Sequence, residues 1–187
     1  MTFRLAKLYT LGAWGAAVCM LAICGLVTVQ VVLRCLDGLL VLAGAERTGW
    51  EIGGVSEIAA YLLVGATFLS LAYTFVHHAH IRVTLVISRL PALARVWVES
   101  ACLAVALTLA VVLGRGLITL IGESLEYGDL SSGLLAIPLW IPQTVLALGV
   151  GLLCLALTEA LIATLHTALT APRHYVAPEQ HEEAGGE

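Results

Sequence analysis

Four stretches of the chain are apolar almost without interruption: residues 11–33, 55–76, 98–121 and 141–161. Each reaches the length of about 20 residues that a helix needs to cross the hydrocarbon core of a bilayer. Backbone polar groups in lipid must be satisfied internally, and the period-two alternation of a barrel is missing, so the pattern predicts four transmembrane helices. Polar positions are few. The first stretch holds Thr28 and Gln30 and no charge; the second opens with Glu57. The third has Glu99 at its start and Arg115 inside, and the fourth has Thr158 and Glu159 near its end. Between the second and third, Val83, Val86, Ile87 and Leu90 fall on one helical face, flanked by Arg82 and Arg89 and followed by Pro91. That spacing predicts a short interfacial helix between spans two and three; the alternative is that span two continues and then turns.

Composition agrees with an all-α integral membrane protein. Of 187 residues, 60% are hydrophobic and only 12% charged, where a soluble domain carries about 25% charged residues. Arg4 and Lys7 precede the first stretch as in a signal peptide, but the apolar run is too long and no clean small-x-small site follows, so it is read as a retained span. The five cysteines form no C-x-x-C pair and are read as packing residues. Residues 1–170 are expected to form one four-helix transmembrane domain. Residues 171–187, rich in Gly, Glu and His, are expected to be a disordered tail.

Four spans put both termini on one side. Arg4, Lys7, Arg82, Arg89, Arg95 and Arg173 lie on that side, against Arg34 and Arg47 on the other. The positive-inside rule then makes both termini cytoplasmic. The third connection carries Glu123, Glu126 and Asp129 and no basic residue.

His77, His78 and His80 cluster at the end of span two, while His166, His174 and His181 lie at or beyond the end of span four. No imidazoles face each other mid-membrane for haem, and zinc would want further ligands at suitable spacing, so no cofactor is expected. Arg115 sits about six residues, or roughly 9 Å, from the end of span three. It either snorkels outward toward Glu123 or Glu126, or contacts a partner helix or anionic ligand. Ser56 is a plausible N-cap for the second helix, with Glu57 favouring the helix dipole; Glu57 could instead pair with Arg34. In "AIPLWIPQ", Pro138 and Pro142 predict a kinked entry to span four and Trp140 an interfacial anchor. Stripes of small residues (Ala66 and Ser70; Ala106, Ala110 and Gly114; Ala156, Ala160 and Thr164) predict close helix packing. Polar groups near the midplane, as a secondary transporter needs, are nearly absent, and so is a phosphate-binding loop. The residues point to an accessory or scaffold membrane subunit rather than an enzyme or an autonomous pump.

The order of landmarks resembles one family. Arg34 closes span one, and Glu57 opens "EIAAYLLVGATFLSLAY". "HIRV" with His80 and Arg82 follows, then "RLP", then "IPLWIPQ" and "LGVGLL" in span four. In this order and spacing, over residues 31–153, the chain resembles the small membrane subunit (DctQ type) of tripartite ATP-independent periplasmic (TRAP) transporters. The resemblance implies a multi-pass protein of the bacterial inner membrane. Its partners would be a large membrane subunit and a periplasmic solute-binding protein, importing a solute such as an organic acid on a sodium gradient. No nucleic acid is implied. Arg34, Glu57, His80, Arg82, Arg115, Pro138, Trp140 and Pro142 are the candidate subunit-contact or structural residues. Thr84 stands where the family commonly has an acid after "HIRV". The competing readings are a membrane anchor subunit of a redox enzyme and a self-assembling small exporter using Glu57.

Overall fold

The computed structural model describes residues 5–44, 49, 52–77 and 92–170. Among them are four helices: α1 (Ala6–Leu42), α2 (Val55–Val76), α3 (Ala92–Tyr127) and α4 (Trp140–Thr170). All four are long and apolar enough to cross a membrane. The four expected spans are therefore present, and the fold is all-α. The interfacial helix expected around residues 81–90, and the tail from residue 171, lie outside the described residues.

Three helices outrun their expected bounds. α1 was expected to stop near residue 33 but continues to Leu42. Arg34 and Asp37 break the apolar pattern without breaking the helix, because no proline interrupts residues 6–42. The helix closes at Gly44, whose φ of 82° suits glycine, with its N–H donating to the Val41 carbonyl at 3.0 Å. α3 begins six residues before the expected start and ends on Gly128, φ 65°. α4 continues nine residues past its expected end. At 1.5 Å per residue, α1 and α3 are about 55 Å long, well beyond a hydrocarbon core of roughly 30 Å.

The packing order is α1, α2, α4, α3. α2 sits between α1 and α4, and α3 packs on α4. The register follows from close approaches. Gly12 of α1 lies against the Leu69 backbone of α2, and Gly65 of α2 lies between Cys19 and Val145. Gly149 of α4 abuts the Phe68 backbone, and Gly114 of α3 faces Val150. Tyr9, Ala72, Val76 and Ala156 form one buried cluster; Leu103, Ala110, Leu157 and Ala160 form another. The small-residue stripes thus lie in the interfaces, where the lack of bulk lets backbones approach. α2 and α4 run parallel, with α1 and α3 antiparallel beside them. The start of α1 and the end of α4 share one end of the bundle, called here the terminal end; the α1–α2 and α3–α4 connections share the other, the loop end.

This register places a membrane. Trp140, Glu57 and Glu123 ring the loop end, and Lys7, His77 and Glu159 ring the terminal end. The rise from Trp140 to Glu159 is about 28 Å, the thickness of a hydrocarbon core. The helix pairs are staggered across that slab. Gln30 of α1 is level with Ile52, so residues 31–42 project about 18 Å beyond the start of α2. At the terminal end α4 continues past Ala156 and Val76, with Val96 of α3 packed on Ala168. Buried Ser100 and Thr164 in that projection return their hydroxyls to the carbonyls of Val96 and Ala160, both at 2.9 Å.

Candidate functional site

The polar side chains that hold tertiary contacts sit at the two rims of the slab. At the terminal end, the Tyr9 hydroxyl donates to Glu159 Oε2 at 3.0 Å, linking α1 to α4 across α2. Tyr9 is only 1% exposed, so its ring is fully enclosed among Ala72, Val76 and Ala156 while its hydroxyl reaches the rim. Glu159 is legible in the sequence as an acid near the end of span four, but Tyr9 is not singled out there. A tyrosine two positions after Lys7 reads as an ordinary interfacial aromatic, and its partner is 150 positions away.

At the loop end the join is made by Glu57. α2 is capped by Gly54 (φ 76°), not by Ser56, which lies inside the helix; the expected N-cap is corrected by one turn geometry that only glycine adopts freely. Glu57 does occupy the first turn, where an acid favours the dipole. Its carboxylate accepts from the Tyr61 hydroxyl and from the Leu135 N–H, each at 3.4 Å. It lies over Gly133, where a Cβ would collide with it, and the Leu135 side chain fills the space over Gly54. The alternative partner for Glu57, Arg34, is not the one that its carboxylate meets. Arg34 is exposed on the projecting part of α1, and Glu57 turns to the α3–α4 connection instead. That connection, residues 128–139, is held by its own backbone: Ser131 N–H to the Ile137 carbonyl at 2.9 Å and Leu139 N–H to the Asp129 carbonyl at 3.1 Å. Ala136 takes a left-handed φ of 45° within it. The Gln30 side chain accepts from the Ile52 N–H at 3.2 Å, so α1, α2 and the loop are stitched at one level.

The prolines stand on either side of the start of α4. Pro138 precedes the helix and its carbonyl accepts from the Ile141 N–H at 3.2 Å. Pro142 falls in the first turn, where its missing N–H has no helical partner to lose. Trp140 opens the helix, 40% exposed, at the level of the polar rim. His80 and Arg82 lie outside the described residues.

Arg115 changes most. The sequence placed it near the end of its span, but α3 runs on to Tyr127. Its neighbour Gly114 faces Val150, midway between Trp140 and Glu159. Arg115 is therefore at mid-depth, about 14 Å from either rim, while an extended Arg side chain reaches roughly 7 Å from its Cα. Its side chain is not paired with Glu123 or Glu126 in the structure. The residue is exposed, on the side of α3 away from α4, and its side chain has no ion-pair or hydrogen-bond partner among the described residues. Facing lipid there costs about 2.5–3.5 kcal/mol on insertion scales and roughly 10–17 kcal/mol in simulations of an isolated helix.

No curated protein and no solved structure matches the chain. A family match covers well over half of it: residues 23–167 match the family described as "Tripartite ATP-independent periplasmic transporters, DctQ component". The match takes in α1 from residue 23, α2 and α3 whole, α4 to residue 167, the Glu57 join and the Pro138–Trp140–Pro142 entry. Together with four membrane-length apolar helices, it means that the chain belongs to the DctQ family, as a small membrane subunit of a TRAP transporter and not as an enzyme.

Proposed function

We propose that the chain is the fixed scaffold subunit of a secondary transporter that imports an organic acid on a sodium gradient. Its partners are a large membrane subunit, which carries the solute, and a periplasmic binding protein, which delivers it. The site of action is the bacterial inner membrane, with both termini cytoplasmic and the loop end periplasmic.

What supports a scaffold role is the apolar interior. Between the rims the buried positions are Ala16, Ala66, Ala72, Ala110, Leu117, Val150 and Ala156 with the glycines at the crossings. The buried polar residues Glu99, Ser100, Ser124 and Thr164 are at or beyond the rims. A transported anion or a sodium ion needs polar groups or broken helices near the midplane. Among the described residues the helices run unbroken there, and the half-buried Ser70 hydroxyl near that level is turned back to the Thr67 carbonyl at 2.9 Å, which supports a solute path in another chain. The six-to-two distribution of basic residues supports the orientation.

The test is deletion of this chain with the genes of the large subunit and binding protein left intact. The solute is first chosen by thermal-shift screening of the binding protein against organic acids. Sodium-dependent uptake of that solute is expected to be lost and to return with the chain supplied in trans. Uptake at the undeleted rate overturns the proposal.

A further inference from the structure

We infer that the outer face of α3 around Arg115 is the docking surface for a transmembrane helix of the large subunit, and that this helix presents an Asp or Glu at mid-depth. The inference rests on the chain's being one of two membrane subunits, and adds which face pairs and by what chemistry.

Among the described residues α3 packs chiefly on α4, and its buried positions (Val96, Leu103, Ala110, Leu117 and Ser124) repeat every seven residues on that side. Arg115 lies opposite. On its face stand Val112, 64% exposed, and Gly116 and Gly122, where an added Cβ would meet nothing within 4 Å. Thr108 and Thr119 on the same face fold their hydroxyls back to the carbonyls of Ala104 and Arg115, at 2.8 and 3.2 Å. The face therefore offers one protruding cation beside shallow ground that admits a close helix.

Three occupants can be compared. Lipid headgroups are about 14 Å away along the helix, beyond the reach of the side chain. The acids within the spans of a second copy, Glu57, Glu99 and Glu159, lie near the span ends, so a second copy offers no acid at the level of Arg115. A partner helix with a carboxylate at that depth supplies the charge-assisted, bidentate pairing that an Arg in low dielectric requires. Charge complementarity selects the third.

The experiment uses the intact complex in native membranes. A benzophenone amino acid at Val112 is expected to cross-link to the large subunit, identified by mass spectrometry, in a segment that contains a mid-span Asp or Glu. Arg115→Glu is expected to lower co-purified large subunit by about thirtyfold or more. Exchanging the two charges, with the partner's acid changed to Arg, is expected to restore it, which separates a lost contact from failed insertion. Cross-links from Val112 only to lipid or to a second copy overturn the inference, as does Arg115→Glu co-purifying at the wild-type level. Those results leave the subunit reading standing, whereas a chain that retains no large subunit under any condition overturns both.

Discussion

The closest approach in the bundle gives the sharpest prediction. Gly149 of α4 meets the backbone of Phe68 on α2: a Cβ at 149 would lie 2.5 Å from the Phe68 carbonyl carbon and 2.6 Å from its oxygen. Ordinary contact begins at 3.4 Å, so Gly149→Ala must open the α2–α4 interface by about 1 Å, because backbone cannot rotate aside as a side chain can. A gap of 0.5–1 Å forfeits roughly a quarter to a half of each dispersion contact along the seam. Overpacking of this kind costs about 1–3 kcal/mol. Gly151, two residues on, has nothing within 4 Å, and Gly151→Ala is expected to be neutral or stabilising by up to about 1 kcal/mol through helix propensity. Gly12→Ala, with a Cβ 2.8 Å from the Leu69 carbonyl oxygen, falls between them. Gly65→Ala falls closer to neutral, since it meets the Val145 and Cys19 side chains at 3.2 and 3.4 Å. The assay is unfolding of the purified protein in detergent, read by tryptophan fluorescence. The order of stability should be Gly151→Ala, Gly65→Ala, Gly12→Ala, Gly149→Ala. Equal stabilities for the first and last would refute the packing.

Tyr9→Phe removes one hydrogen bond between α1 and α4 without changing the ring, and is expected to cost about 1–3 kcal/mol in the same unfolding assay; an unchanged midpoint would place Glu159 elsewhere. Glu57→Ala removes two hydrogen bonds at the long end of the range and a favourable charge at the α2 dipole, together about 1–2 kcal/mol. Hydrogen exchange at the Leu135 amide should rise with it, and unaltered protection would show that the loop is held otherwise. In a cysteine-free background in spheroplasts, Glu126→Cys should react with an impermeant thiol reagent and Leu169→Cys should react only after lysis. The opposite pattern reverses the orientation.

The sequence made the four spans readable because lipid permits few ways of satisfying a backbone, so an apolar run of this length, with at most two charges, leaves one interpretation. The small-residue stripes were readable for a similar reason, and Ala110, Ala156, Ala160 and Thr164 are indeed buried. Helix ends were not. Hydropathy marks where lipid stops, not where a helix stops, and residues 34–42 and 162–170 are helical beyond the slab. The order of packing was hidden as well, since a stripe reports that something approaches but not what. The join at Glu57 needed Leu135, 78 positions away, and the join at Tyr9 needed Glu159. Arg115 was legible in the sequence, but its level against the neighbouring helix was not. Its distance was measured to the end of an apolar run, whereas its level is set by Gly114 against Val150 on the neighbouring helix.

The central claim is that this chain supports transport without forming the route. Reconstitution tests it most directly: proteoliposomes holding the large subunit, this chain, or both, with binding protein and solute outside and an inward sodium gradient. The account predicts uptake only when both membrane chains are present. Uptake by this chain alone, or full uptake by the large subunit without it, would contradict the account.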